Sequence, residues 1–486
     1  MNHQQSEQFI NKMWDEHILP SLMDYIKIPN KSPQFDPDWQ TNGYMDQAVN
    51  LLSQWCKKHA IPGMTLEVVR LEQKTPIILI EIPGQTDETI LLYGHLDKQP
   101  EMSGWDEDLN PWKPVLRGDK LYGRGAADDG YAIFSSFTAI KSLHEQHIPH
   151  ARCVILIEAC EESGSPDLPF YVNALEHRIG HPDLVICLDS GCGNYEQLWL
   201  TTSLRGMVSG ILNISTLKQG VHSGNGSGVA PSCFRILRQC LNRIENEITG
   251  DITLDALQVI IPKERELQAN QAAEVLGNAV FADLPFQADV LPESLSISDL
   301  ILRRTWKPAL SVTGCDGIPA IQQAGNVTLP SIAVKLSMRL PPTCPPQQAA
   351  LTIKQTLENH PPYRAKIHFD LREESAGWHA PIEQPWLVDA LQKASQTYFG
   401  KQAVYMGEGG TIPFMGMLGK KFPHAQFIIT GLLGPGSNAH GPNEFLHIPM
   451  AKKLTACIAQ MIAEHYIKIA TNKRSSVIQK DTRVPA

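Results

Sequence analysis

Two short stretches of almost unbroken apolar residues constrain the fold of this chain most strongly. They span residues 153–157 and 184–188. A strand that is apolar on both sides must be covered on both faces, which is typical of a parallel sheet between layers of helices. Ile133, Phe137 and Ile140 recur at helical spacing between such segments. The pattern therefore predicts an α/β fold with a central, mainly parallel sheet.

The pattern changes in the middle of the chain. In residues 332–340 apolar and polar residues alternate, as in a strand with one buried face. Helical patterns at 233–248 and 347–357 lie before and after this strand. The resulting order β-α-β-β-α-β predicts a ferredoxin-like α+β domain.

These two patterns define the predicted domains. A length of 486 residues is enough for two to four domains. The α/β pattern occupies both ends of the chain, so we predict one discontinuous domain formed by residues 1–205 and 376–486. An inserted α+β domain is predicted at 206–375, and residues 250–308 are interpreted as an insertion within it.

Charge and cysteine content exclude several classes of protein. The formal net charge is −9, so no basic surface for nucleic acid or an anionic membrane is expected. The sequence contains no run of about 18 apolar residues, so no transmembrane helix is predicted. The polar segment Met1 to Glu7 does not resemble an apolar signal core. Ten cysteines without a C-x-x-C pair are typical of buried thiols in a reducing compartment, so we predict a cytoplasmic protein.

Acidic residues and histidines follow five apolar segments of the predicted α/β domain. The carboxyl ends of parallel strands line one crevice, where ligands bind. We therefore expect these side chains to converge on one site. They are His95 and Asp97 after segment 89–93, Asp128 after 121–122, Glu161 and Glu162 after 153–157, Asp189 after 184–188, and His440 after 426–430.

The composition of this set indicates a metal site. Oxygen and nitrogen ligands without thiolate suit zinc, cobalt or manganese. Two histidines and three carboxylates are too many for one catalytic zinc, but they suit two metals that share a carboxylate. Adjacent Glu161 and Glu162 can divide the tasks of base and ligand, and Asp97 can orient His95. Taken singly, each residue has an ordinary alternative: Asp128 could cap a helix, and the glutamates could form a solvated face.

At these residues the sequence resembles the co-catalytic zinc aminoacylase and exopeptidase family. That family includes carnosinase-like dipeptidases, glutamate carboxypeptidase, acetylornithine deacetylase and succinyl-diaminopimelate desuccinylase. The resemblance implies a zinc-exopeptidase-like catalytic domain and an inserted lid or dimerisation domain, hence a homodimer. It also implies two divalent metal ions per subunit, zinc with cobalt or manganese as alternatives. By resemblance, His95 and Asp189 bind one metal, Glu162 and His440 bind the other, Asp128 bridges them, Glu161 is the general base and Asp97 orients His95.

The resemblance extends to residues that would contact the substrate. His222, in the segment V-H-S-G-N-G-S-G, would help to stabilise the oxyanion, in cis or from the neighbouring subunit. Arg339 would bind a substrate carboxylate, for which a guanidinium is well suited. The segment G-E-G-G-T-I-P resembles a carboxylate-binding loop of the family and contains Gly409, Gly410 and Thr411. Each also has an ordinary alternative, as a turn histidine, a surface-strand arginine or a tight turn.

Two positions depart from the family pattern. Family members often carry lysine where Gly130 stands and arginine where Gly407 stands. Neither is among the implied metal ligands, but the second could alter substrate recognition.

The sequence thus predicts a metal-dependent exopeptidase that hydrolyses dipeptides or removes C-terminal residues. An N-acyl amino acid deacylase has the same site and remains an alternative. A binding protein without activity on the same fold is a second alternative, disfavoured because all the implied ligands and the base are present.

Overall fold

The computed structural model describes residues 1–282 and 284–481, and the side chains of all of these except 413 and 472–481. Within it the chain forms two compact units. The first contains residues 1–201, 380–405 and the part from 417 onward, and the second contains Thr202–His379 and Met406–Gly416. The predicted catalytic domain had included Met406–Gly416, which lies in the second unit.

The strands are β1 (Thr65–Val69), β2 (Ile77–Ile82), β3 (Thr89–His95), β4 (Val115–Arg117), β5 (Lys120–Tyr122), β6 (Arg152–Glu158), β7 (Pro182–Cys187), β8 (Trp199–Leu204), β9 (Gly206–Ser215), β10 (Val221–His222), β11 (Ala309–Asp316), β12 (Val327–Thr328), β13 (Ser331–Leu340), β14 (Lys366–Ser375), β15 (Trp378–His379), β16 (Val404–Glu408), β17 (Gln426–Ile429) and β18 (Phe445–His447).

The α-helices are α1 (His3–Met13), α2 (Leu19–Ile26), α3 (Tyr44–Lys58), α4 (Ala132–Glu145), α5 (Leu168–Ala174), α6 (Glu176–Ile179), α7 (Ser223–Gly226), α8 (Cys233–Leu241), α9 (Lys263–Leu276), α10 (Ala279–Ala282), α11 (Ile297–Thr305), α12 (Pro346–Glu358), α13 (Pro385–Phe399), α14 (Pro413–Lys421) and α15 (Ile448–Asp481). No helix in the described ranges combines the length and the apolar character needed to cross a membrane.

The first unit contains a six-stranded sheet in the order β1-β2-β6-β3-β7-β17. Strands β6, β3, β7 and β17 run parallel, whereas β1 and β2 join antiparallel at one edge. Every residue of β3 is buried, and so is β6 after its first residue. The α/β class with a mainly parallel sheet is confirmed, because strands apolar on both sides are stable only when both faces are covered.

One strand in the predicted set does not belong to this sheet. Strand β5, which precedes Asp128, pairs with β4 and β18 in a separate three-stranded antiparallel sheet. Asp128 therefore does not reach the site from the end of a parallel strand. A short strand of three residues carries too little pattern to indicate its partners, so the sequence could not distinguish these two sheets.

The second unit contains the four-stranded antiparallel sheet β11-β13-β9-β14. Helix α8 follows β9 and α12 follows β13, which confirms the ferredoxin-like order of the inserted region. One face of β13 carries Ile332, Val334, Leu336 and Met338, which pack in a buried cluster with residues of both helices. The segment 250–308, which the sequence pattern did not resolve, contains the helices α9, α10 and α11 joined by irregular chain.

Candidate metal centre

His95, Asp128 and Asp189 form the first group of possible metal ligands. His95 is the last residue of β3, and Asp189 follows the neighbouring parallel strand β7. The Nε2 atom of His95 lies 3.2 Å from Oδ1 of Asp128 and 3.8 Å from Oδ2 of Asp189. All three side chains are buried, at most 9% exposed. Their donor atoms are thus close enough to bind one ion.

The second group consists of Asp128, Glu162 and His440. The Nε2 atom of His440 lies 3.0 Å from Oδ2 of Asp128 and 3.2 Å from Oε2 of Glu162. The Glu162 carboxylate is nearly buried, but the His440 side chain is 57% exposed. His440 lies in a loop, with a left-handed φ of 64°.

Asp128 joins the two groups through its two carboxylate oxygens. Oδ1 faces His95 and Oδ2 faces His440, so this one carboxylate belongs to both groups. Oε1 of Glu162 is buried and has no hydrogen-bond partner in the described part of the chain, so it retains a lone pair for a cation. The donors are carboxylate oxygens and imidazole nitrogens, and this set fits divalent transition metals.

Asp97 contacts both His95 and the turn that carries Glu161 and Glu162. The Nδ1 atom of His95 lies 3.5 Å from Oδ1 of Asp97 and 3.0 Å from the Asp97 carbonyl oxygen. The same carboxylate also accepts the backbone N–H of Glu161 on Oδ1 and that of Glu162 on Oδ2, both at 3.0 Å. Asp97 therefore holds the turn that carries both glutamates through its carboxylate, and its carbonyl oxygen contacts the His95 imidazole.

The titration of the site reflects its concentration of charge. Burial lowers the pKa of His440, but its hydrogen bonds to Asp128 and Glu162 outweigh burial and raise the pKa to about 11. The pKa of His95 likewise rises well above its usual value, because the carboxylates around it outweigh its burial. Burial and the negative charge of Asp189 raise the pKa of Glu161 well above its ordinary value. A glutamate with a raised pKa is suited to accept and return a proton.

Sequence reasoning missed an ion pair that links the loops of the two groups. Arg124 and Glu444 are both fully buried and lie 2.8 Å apart. Glu444 Oε1 accepts the N–H groups of Gly125 and Ala127, just before Asp128. Arg124 donates to the carbonyl oxygen of Gly441, next to His440, at 2.7 Å. A single charged residue in a sequence gives no indication that it is buried or that its partner lies 320 residues away.

The neighbours of Gly130 explain why glycine stands where family members often carry lysine. A Cβ atom at this position would lie 2.2 Å from Cε1 of Tyr25 and 2.6 Å from the carbonyl oxygen of Gly125. Tyr25 in turn donates to the carbonyl oxygen of Leu96, between His95 and Asp97, at 2.6 Å. The tyrosine occupies the space that a lysine side chain would need, so glycine is required here.

The predicted substrate residues all belong to the second unit. His222 is exposed, and its Nδ1 accepts the N–H of Gly224 at 3.1 Å. Arg339 Nη1 donates to Oγ1 of Thr411 at 3.2 Å, and this hydroxyl donates to the carbonyl oxygen of Arg205 at 2.6 Å. The structure thus brings Arg339 together with Thr411 of the predicted loop.

Ser203 and Thr305 explain why Gly407 lacks a side chain. A Cβ atom at Gly407 would lie 2.4 Å from Oγ of Ser203 and 2.9 Å from Cβ of Thr305. The arginine often found there in the family has no room. The Gly409 carbonyl oxygen accepts a hydrogen bond from Nε of Arg205 at 3.2 Å.

A mainly parallel sheet with two imidazole–carboxylate groups that share one aspartate defines a metal-dependent hydrolase. Comparison with known proteins agrees: residues 91–464 match the model of Peptidase family M20/M25/M40. The chain belongs to this family of metallopeptidases.

Individual relatives are distant but cover most of the chain. A "Cysteinylglycine-S-conjugate dipeptidase" of Corynebacterium striatum is 24% identical over 80% of this chain and 85% of its own length. The human "Beta-Ala-His dipeptidase" is 25% identical over 90% of this chain and 87% of its own length. The crystal structure of human carnosine dipeptidase 1 matches with a TM-score of 0.77 at 20% identity, over 96% of this chain and 98% of that one, which shows a shared fold.

Proposed function

We propose that the protein is an exopeptidase that hydrolyses dipeptides or removes C-terminal residues with two zinc ions. The observation that carries the proposal is the shared Asp128 carboxylate, with one oxygen at His95 and the other at His440. The dipeptidase names of the similar proteins from Corynebacterium striatum and human support the substrate class.

His95 and Asp189 would hold one ion, Glu162 and His440 would hold the other, and Asp128 would bridge them. When bound, the ions would polarise the scissile carbonyl and lower the pKa of the attacking water. Asp97 would keep His95 in the tautomer that leaves Nε2 free to bind, because Nδ1 faces the Asp97 oxygens.

Glu161 would act as general base. Its carboxylate would accept the proton of the attacking water and then return it to the leaving amine. The two hydrogen bonds from the backbone of residues 161 and 162 to Asp97 fix the base relative to its neighbour, the ligand Glu162. A base held in place needs less reorganisation during the reaction.

The inserted region, for which we propose the boundaries 206–375, would supply groups that recognise the substrate. His222 would donate a hydrogen bond to the oxyanion. Arg339 and Thr411 would bind the terminal carboxylate, together with the backbone of Gly409 and Gly410. Lid and dimerisation are proposed roles of this region, in a homodimer. We also propose a cytoplasmic location, which the ten free cysteines support.

The test is a hydrolysis screen on the purified protein, loaded with zinc, cobalt or manganese in parallel. The panel contains dipeptides, C-terminally extended peptides and N-acyl amino acids, and the released products are identified by mass spectrometry. Two variants of adjacent residues serve as matched controls. We expect Glu161→Gln to keep its metal and lose turnover, and Glu162→Gln to lose metal as well.

The products decide between the candidates. Release of two amino acids from dipeptides, dependent on metal and Glu161, would establish the proposed activity. Cleavage confined to N-acyl amino acids would identify a deacylase with the same site. Absence of both stoichiometric metal and turnover would contradict the proposal.

A further inference from the structure

The helical segment 250–308 encloses a cavity within the second unit that the proposed mechanism does not use. Its volume is about 390 Å³, within the range of pockets that bind small molecules. Phe281, Leu284, Phe286 and Leu291 form an apolar wall. Leu284 is 57% and Leu291 73% exposed, so this wall lacks a covering group.

Arginines line the cavity as well, and they fall into two kinds. Arg303 is neutralised: it lies 2.9 Å from Asp251, 3.0 Å from Asp299 and 3.6 Å from Glu293. Lys307, which also lines the cavity, pairs with Asp299 at 2.6 Å. The acidic residues at this end therefore already have cationic partners.

Arg205 and Arg304 form no ion pair with any residue in the described ranges. Arg205 is 8% exposed, and its guanidinium donates to the carbonyl oxygens of Gly409 and Arg303. Arg304 donates to the sulfur of Met406 at 3.6 Å, with the charge of Glu408 nearby. Burial, together with the charges of Arg339 and Arg304, lowers the pKa of Arg205 to about 10.

One further acidic residue lines the cavity. Burial and the negative charge of Glu293 raise the pKa of Glu245, which disfavours its ionised form. Glu245 also forms no ion pair with Arg205 or Arg304 among the described residues. Arg205 is the buried guanidinium without a counter-charge, which is costly, and a bound anion would remove that cost.

We propose that this cavity binds a small amphipathic carboxylate. The carboxylate would lie at Arg205 and Arg304, and the apolar part would lie against Phe281, Phe286 and Leu291. A guanidinium binds a carboxylate through paired hydrogen bonds, and an apolar wall favours an aliphatic or aromatic group over a second charge. The ligand is either the apolar C-terminal residue of a peptide, whose carboxylate would then lie at this pair rather than at Arg339 and Thr411, or a free apolar acid.

The first measurement is calorimetric titration of the full-length, metal-loaded protein with 4-phenylbutyrate. Its uncharged counterpart, 4-phenylbutanamide, is titrated in parallel. We expect saturable binding of the acid and at least about tenfold weaker binding of the amide, because only the acid can pair with the guanidinium groups.

Two variants locate the binding. Arg304 is exposed, so Arg304→Met leaves the fold intact and should weaken 4-phenylbutyrate at least about tenfold. The matched control is Arg238→Met, which removes an exposed positive charge of α8, away from the cavity, and should leave the affinity unchanged. If 4-phenylbutyrate bound the metal centre instead, neither variant would change its affinity.

The source of the ligand follows from kinetics of the same variants. If Arg304→Met raises KM for dipeptides ending in phenylalanine but not for those ending in glycine, the cavity receives the substrate's last residue. If KM stays constant while 4-phenylbutyrate no longer binds, the ligand is a free acid. Either result supports the site.

The proposal is overturned if the wild-type protein shows no saturable binding, or binds acid and amide equally. It is also overturned if Arg304→Met binds the acid as tightly as the wild type. The titration needs no peptidase activity, so its outcome is independent of the proposed function.

Discussion

The two groups of possible metal ligands share Asp128 but are built differently. In the first group, His95 ends β3 and Asp189 follows the neighbouring parallel strand β7, and both are buried. The second relies on loops: Glu162 lies in a short turn, and His440 is more than half exposed. The first group is thus positioned by the sheet, whereas the second depends on side chains that hold two loops together. We expect the ion of the second group to exchange more readily.

The largest effect is expected where the two groups meet. Asp128→Ala removes a ligand from both, so both ions should be lost and activity should fall by more than about 10³-fold. Metal content after gel filtration, measured by mass spectrometry of the elements, tests this. Asp189→Ala and His440→Ala serve as comparisons. Asp189→Ala should first lose the ion at His95, and His440→Ala should first lose the ion at Glu162. Retention of both ions in Asp128→Ala would contradict a bridging role.

Glu161→Gln separates chemistry from metal binding. The amide cannot accept a proton from water, so kcat should fall by about 10²- to 10⁴-fold with both ions still bound. Steady-state kinetics together with metal analysis test this. A kcat within about threefold of the wild type would exclude Glu161 as general base.

Arg124→Met probes what holds the second group together. Without its ion pair, Glu444 remains buried and unpaired, and the loops of Asp128 and His440 lose their link. We expect the affinity for the more weakly bound ion to fall by about 10- to 100-fold, and unfolding to require about 3–5 kcal/mol less.

Competition with a metal-binding dye and thermal unfolding measure these two effects. The control is Arg117→Met, which breaks an exposed ion pair with Asp108 and should change neither. Equal loss of both ions in Arg124→Met would show that the pair supports the whole centre rather than the second group.

The smallest predicted effect concerns pH. Without metal, the pKa of His440 is raised to about 11, and that of His95 is also raised, so both imidazoles carry a proton at pH 7. A metal ion binds only the neutral imidazole, so binding releases protons and the apparent affinity rises with pH, by about tenfold per unit for each proton. Titration calorimetry in two buffers of different ionisation enthalpy measures this release. His440→Ala should release about one proton fewer, and no net release at pH 7 would contradict the prediction.

The sequence predicted which residues meet in the two groups better than it predicted the residues that support them. His95 and Asp189 follow long apolar strands, and a residue at the end of a buried strand has few places to go. The supports could not be found in this way, because Arg124 and Glu444 are single charges far apart in the sequence. The dual role of Asp97 was missed for a similar reason, since its partners are backbone N–H groups that no sequence pattern marks.

In the inserted region, the sequence predicted the sheet but not the helical segment that forms the cavity. Its sheet was predicted from the alternation in β13, which a half-buried strand makes visible. The segment 250–308 was not, because its longest helix, α9, buries mainly polar and small side chains. The cavity beside Arg304 therefore emerged only from the structure.

Gly407 has a consequence for how this protein can change over evolutionary time. Ser203 and Thr305 fill the space beside it, so even an alanine there would collide with both. A larger residue becomes acceptable only after one of these neighbours has become smaller, and the order of mutations then matters. Single-step adaptation of substrate preference is closed at this position and must begin elsewhere in the second unit.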